Sequence, residues 1–243
     1  MEALKKLLKG HKTLVFIDFE GTQFTHEIIA VGAYKCKVND EGEIIERAEN
    51  GYKQYVQATS QVGKYITEMT SITDSFLEAN GVPVDVMLEE LKAYIHEDLR
   101  NVSYVVFGSN DARMILETNK HSHPSNQYIL KQIIPNIVDY LAFLSQYVRD
   151  DNFNSYSLTN YLKVFEGEPY GVSHDPLNDA IDLMNLYDNV LKNPDILLDE
   201  YKKNLLRQKI FPTPVKNLLK KIIETNEGIT KEEFISLLKD YLS

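Results

Sequence analysis

The 243-residue chain holds a single cysteine, Cys36. No disulfide can form within the chain, and an isolated thiol suits a reducing, cytoplasmic setting. Long apolar runs are missing too. The first apolar stretch, Leu14 to Ile17, is too short for a membrane span or for the core of a secretory signal. Positive charge is scarce: 26 Lys and Arg against 36 Asp and Glu leave a formal net charge of -10. That balance argues against a protein that coats nucleic acid non-specifically. It leaves open an enzyme whose phosphate contacts are local or run through metal. There is no internal repeat and no low-complexity segment. With 43% hydrophobic and 26% charged residues, the chain reads as globular and long enough for one large α/β domain with or without an appendage.

The most informative stretch lies near the start, Leu14-Val15-Phe16-Ile17-Asp18-Phe19-Glu20-Gly21-Thr22. A β-branched and aromatic run predicts a buried strand, and it ends in two carboxylates. Side chains alternate across a strand, so Asp18 and Glu20 share a face roughly 6–7 Å apart. At an effective dielectric near 20, two such charges repel by roughly 3 kcal/mol. A cation between them would relieve this, and hard oxygen ligands suit Mg²⁺ or Mn²⁺.

The remaining chain predicts a short leader helix in Met1 to Lys12, then strands at 27–38 and 43–57 joined by turn chemistry at 39–42. Helices follow at 60–70 and 84–99, the second strongly amphipathic. A strand at 104–107 leads into a helix from Asp111, and a strand at 136–141 into helices from about 141 and 157. The loop 166–173 carries Gly, Pro and Gly and reads as exposed and mobile. A helix over 176–191 ends this domain. The order describes a mixed sheet flanked by helices. From 193 no strand signal remains. Helices at 195–208, 214–225 and 230–242, parted by Pro212-Thr213-Pro214 and Asn226-Glu227-Gly228, form a C-terminal appendage. Within it, Lys and Arg recur from 202 to 221 without an acid. That run is either a solvated helix face or a surface for a phosphate backbone or a protein partner.

Two further segments bear on the acidic pair. Asp111 follows a strand and Gly108, where Ser109 or Asn110 can serve as helix cap and free Asp111 for another task. In Ser173-His174-Asp175-Pro176-Leu177-Asn178-Asp179, Asp175 is a good N-cap with proline at the first helical position. His174 and Asp179 then occupy the two positions normally filled by an apolar staple. An imidazole beside a carboxylate can take a proton from water near neutral pH. His121 and His123 lack Cys or acidic neighbours and read as a solvated loop. His26 and Glu27 read as strand-start residues facing water, and Asp182 as a helix-surface acid.

Asp18-Phe19-Glu20-Gly21-Thr22, then Asp111, then His174 with Asp179 five residues on, resemble the three motifs of the DEDDh branch of the DnaQ-like (RNase T-like) 3′–5′ exonuclease superfamily. Met69-Thr70-Ser71-Ile72-Thr73 resembles that family's Leu-Thr-Gly-Ile-Thr loop, with Ser71 in place of glycine. The resemblance spans roughly residues 12–192. The sister branch with tyrosine for histidine fits less well, because position 175 is Asp. Phe107-Gly108-Ser109-Asn110-Asp111 looks more like the branch related to enhanced-RNAi-type exonucleases than like bacterial proofreading subunits.

The resemblance implies a ribonuclease H-like exonuclease fold over residues 1–192 with a helical extension over 193–243. It implies two Mg²⁺ or Mn²⁺ ions about 4 Å apart, held by Asp18, Glu20, Asp111 and Asp179 with Asp18 as bridge. His174 would act as general base in releasing nucleoside 5′-monophosphates from the 3′ end of single-stranded RNA or DNA. Gly21, Thr22, Thr70 and Ile72 would meet the terminal nucleotide, with Phe24 stacking on its base. The rival readings are a proofreading subunit of a polymerase and a catalytically idle nucleic-acid-binding or scaffolding domain.

Overall fold

The computed structural model describes every residue except 1, 125, 226, 227 and 243. The first position of the expected leader helix and most of the Asn226-Glu227-Gly228 spacer therefore lie outside the described residues. In chain order the elements are α1 (Glu2–Leu7), β1 (Thr13–Gly21), β2 (Ile28–Val38), β3 (Ile44–Arg47), β4 (Tyr52–Tyr55), α2 (Lys64–Thr70), α3 (Asp74–Asn80) and α4 (Val84–Ile95). There follow β5 (Val102–Val106), α5 (Asn110–Asn119), α6 (Gln127–Ile133), β6 (Ile137–Asp139), α7 (Tyr140–Leu144), α8 (Leu158–Val164) and α9 (Pro176–Lys192). Three helices close the chain: α10 (Pro194–Arg207), α11 (Thr213–Thr225) and α12 (Lys231–Leu242).

The six strands form one mixed sheet in the order β3-β2-β1-β5-β6, with β4 also pairing β2. β1 runs antiparallel to β2 and parallel to β5. This is the mixed sheet flanked by helices that the sequence predicts. Alternation along β1 sends its two faces into two cores. Leu14 and Phe16 pack with α7, α8 and α9, while Val15, Ile17 and Phe19 pack with α4, α5 and α6. Asp18 and Glu20 continue the first of these faces, so they emerge on the side covered by α9.

Two glycines set how closely α9 approaches. A Cβ on Gly32 would lie 2.1 Å from the backbone carbon of Pro176, and one on Gly51 would lie 2.4 Å from Leu177 Cδ1. The first turn of α9 therefore rests directly on β2 and its neighbour. This also corrects the single strand expected over 43–57, which is two strands broken between Arg47 and Tyr52. There the carbonyls of Ala48 and Asn50 accept hydrogen bonds from the hydroxyls of Tyr34 (2.8 Å) and Tyr94 (3.2 Å). Leu177 fills the space over Gly51.

Smaller differences follow from caps. Thr73 caps α3 by accepting from Phe76 N (3.1 Å), adding a helix the sequence reading passed over. α6 is a second such helix, one short turn pair carrying Ile129, Leu130 and Ile133 into the core. Asp139 ends β6 and caps α7. In α10, Leu197 is buried in the α9 core, and Asn204 Nδ2 donates to the carbonyls of Gln146 and Tyr147. Much of the local basicity beyond 202 is answered by acids: Lys202 pairs with Asp199, Lys203 with Glu200, Arg207 with Asp151 and Lys220 with Glu224. Among the described residues no helix is long and apolar enough to cross a membrane.

Candidate active site

At the carboxyl end of β1 a cleft of about 740 Å³ opens, lined by Asp18, Glu20, Asp111, His174 and Asp179 with their chain neighbours and by two further segments, 65–69 and 157–159. Three local devices deliver the four acids. Asp18 and Glu20 ride on β1, where the register shifts after Glu20. Asp111 is the second residue of α5 and is buried. Ser109 precedes the helix, and the Asp111 Oδ1 atom accepts from the backbone N–H of Phe19 (3.2 Å). That bond ties α5 to β1 beside Asp18.

Asp175 caps α9, accepting from Leu177 N and Asn178 N, and Pro176 follows at the first helical position. The cap places Asp179 one turn in, where its Oδ2 accepts from the backbone N–H of His174 (2.9 Å). His174 itself adopts a left-handed backbone with φ +65°. Its Nδ1 lies 4.0 Å from Glu20 Oε1, with 47% of its side chain exposed. One ligand atom each from Glu20, His174 and Asp179 falls within 4.8 Å of the others.

The electrostatics of this cluster are one-sided. No Lys or Arg is among the described residues lining the cleft. Burial, then the charges of Asp111, Glu20 and Asp179, raise the Asp18 carboxyl well above the usual range. Burial, then the charges of Asp179, Asp111 and Asp175, push Glu20 up to about 8. Burial raises Asp111 to about 7 and Asp179 to about 6, partly offset by the N–H bonds each accepts. Carboxylates concentrated without a counter-ion, with oxygens turned to one cleft, are a donor set that fits a hard divalent cation.

A pH effect follows with a definite sign. The raised acids hold protons in the folded chain that the unfolded chain has already released, so metal-free stability falls as pH rises from about 4 to about 8. Thermal melts in EDTA are expected to show a declining Tm over this interval, with Mg²⁺ restoring it at the alkaline end. A Tm that climbs with pH in EDTA would contradict the charge arrangement.

The residues expected to meet substrate are placed unevenly. Gly21 and Thr22 line the cleft, whereas Phe24, Thr70 and Ile72 are not among its lining. Phe24 is 77% exposed. The Thr70 hydroxyl donates to Ile66 O, and Ile72 is buried in a small cluster with Ile29, Val62 and Leu77. Met69, the first residue of the same motif, lines the cleft together with Tyr65 and Ile66, one turn earlier on α2. Their one-face spacing was the available signal. Gln23 Oε1 accepts from Tyr65 N (3.2 Å), tethering α2 to the end of β1.

Two acids read as facing water are buried. Glu27 accepts from Thr25, Thr59 and Ser60. Burial works to raise its carboxyl, but these bonds outweigh it and hold it at about 2. Asp182 accepts from Tyr170 N (2.7 Å) and so anchors the exposed loop before His174. Glu27 is held by a segment more than thirty residues on and Asp182 by the loop that folds back before its helix, neither of which strand and helix periodicity reveals.

Comparison with known proteins bears on the fold and the family. Among curated proteins no sequence relative matches. Solved structures of the same fold include a full-length 3′-exonuclease, at 17% identity and TM-score 0.57 over 76% of this chain, of which this chain spans 62%. The nuclease domain of 3′hExo, a DEDDh family member bound to rAMP, aligns at 17% identity and TM-score 0.56, covering 75% of this chain and 93% of that one. Exonuclease I of E. coli in complex with a dA16 oligonucleotide aligns at 15% identity and TM-score 0.57, covering 80% of this chain and 44% of that one. The sequence model of the RNase T exonucleases matches residues 15–187, most of the chain. With its acids gathered at the end of β1, the chain belongs to the RNase T exonuclease family, within the DnaQ-like 3′–5′ exonuclease superfamily.

Proposed function

We propose that the protein removes nucleoside 5′-monophosphates from the 3′ end of single-stranded RNA or DNA, with two divalent metal ions, Mg²⁺ or Mn²⁺, and His174 as general base. The observation that carries this reading is the set of four carboxylates sharing one cleft, with no Lys or Arg among the described residues that line it. Asp18, Glu20, Asp111 and Asp179 would hold the ions. When bound, such ions lower the pKa of a water and balance charge on the attacking and leaving oxygens.

The chain's own groups do the rest. His174, beside Glu20 and Asp179, takes the proton from the water that attacks the terminal phosphodiester, and its exposure gives that proton a path to solvent. The hydrogen bond from its backbone to Asp179 keeps base and ligand in one register. The backbone at Gly21 and Thr22 meets the terminal nucleotide, with Tyr65 and Met69 forming the wall against its base. Asp111 steadies the end of β1 through Phe19 N.

The test uses oligonucleotides labelled at either end, single-stranded and in matched RNA and DNA versions, with Mn²⁺, Mg²⁺ or EDTA. Labelled mononucleotide is expected at once from the 3′-labelled strand with metal and none with EDTA. Absence of release with every metal would leave the idle binding-domain reading in its place.

A further inference from the structure

The cation nearest the acidic cluster by sheet register is Lys53. In the ladders Asp18 pairs with Gly32, and Gly32 pairs with Lys53. Residues in one row across a sheet point to the same face, so Asp18 and Lys53 flank a position that has no side chain. The backbone of Pro176 and Leu177 occupies that position. Lys53 Nζ reaches over it and donates to Asp175 Oδ2 at 2.5 Å. The other oxygen of the same carboxylate caps α9, accepting from Leu177 N at 3.2 Å and Asn178 N at 3.4 Å. Lys53 is steadied from behind by the Tyr55 ring, 5.2 Å from Nζ. That ring packs edge-on against Phe76.

A cap alone does not require charge, since Ser, Thr or Asn serves as well. Asp175 lies between the general base and the first turn of α9, and its charge reaches Asp18, Glu20 and Asp179. Left unpaired, it would add a fifth negative charge beside the cluster. Resting on the exonuclease reading above, we propose that Lys53 is a positioning residue for the reaction. It clamps Asp175, and through it fixes both the left-handed turn at His174 and the first turn of α9 that carries Asp179. Because the pair is only partly exposed, at 27% and 30% of the two side chains, it is less screened than a surface ion pair.

The experiment compares wild type, Lys53→Met, which keeps the aliphatic stem, and Lys53→Arg, which keeps the charge. Steady-state kinetics on the 3′-labelled oligonucleotide are expected to show kcat of Lys53→Met reduced about tenfold, the scale of a small misplacement of a reacting group, with KM changed less than about threefold. Lys53→Arg is expected to recover most of the loss. In metal-free protein, hydrogen exchange over residues 170–180 is expected to quicken in Lys53→Met and to return towards wild type in Lys53→Arg, with the remaining sheet unchanged. An unchanged kcat, or exchange that rises evenly over the whole molecule, would overturn the positioning role. If wild type itself releases no nucleotide, the exonuclease reading fails, and local exchange alone then decides whether Lys53 clamps the turn.

Discussion

Replacing Asp18 with Asn is expected to abolish nucleotide release while making the metal-free protein more stable. Asp18 is the acid on which burial and the charges of Asp111, Glu20 and Asp179 all bear. Without metal at about pH 8, the folded chain must either ionise Asp18 against burial and its acid neighbours or hold a proton the unfolded chain has released, and Asn keeps its shape with neither cost. Relief of about 1–2 kcal/mol corresponds to a Tm higher by roughly 2–8 °C in EDTA for a chain of this size. In the presence of Mn²⁺ the same change would remove the ligand proposed to bridge the two ions. A loss of one preorganised charge contact at a reacting phosphate costs ~10²–10³ in rate, and a lost ligand exceeds that. Opposite signs for stability and activity are the signature of a functional charge cluster. Retained activity, or a lower Tm in EDTA, would contradict the assignment.

His174→Asn is expected to cut kcat by ~10²–10⁴, the usual contribution of a positioned general base. Asparagine is the informative replacement because His174 sits at φ +65°, a region that Asn tolerates better than most residues. The backbone N–H that binds Asp179 is retained, so Mn²⁺ affinity is expected to stay within about threefold and Tm within a degree or two of wild type. Titration of Mn²⁺ alongside the rate measurement separates the two roles. A variant that loses metal and activity together would make His174 a ligand in place of a base.

Much of this site was legible from local spacing. The alternation that puts Asp18 and Glu20 on one face, and the Asp175-Pro176 cap that brings His174 against Asp179, are short-range rules, and the structure realises both. What was illegible depends on contacts between distant segments. The break between β3 and β4 answers to Leu177 over Gly51 and to the hydroxyls of Tyr34 and Tyr94. Glu27 is held by Thr59 and Ser60, some thirty positions on. The wall of the cleft shows the same limit. Of the stretch that resembles a family motif, Met69 lines the cleft while Thr70 and Ile72 do not, and α2, which begins at Lys64 and is tethered through Gln23, adds Tyr65 and Ile66.

The role of Lys53 was equally invisible in sequence, since a lysine in a short strand reads as solvated. Its meaning comes from a row of three residues across the sheet in which the middle one is glycine. The acids and the base are therefore supported from beneath by β4, a strand that contributes no residue to the cleft lining.

Anomalous diffraction from crystals equilibrated with Mn²⁺ tests the metal site most directly. Two peaks are expected in the cleft, about 4 Å apart, contacted by Asp18, Glu20, Asp111 and Asp179. No density there at saturating Mn²⁺, or ions bound only elsewhere on the molecule, would contradict the two-metal mechanism proposed for this chain.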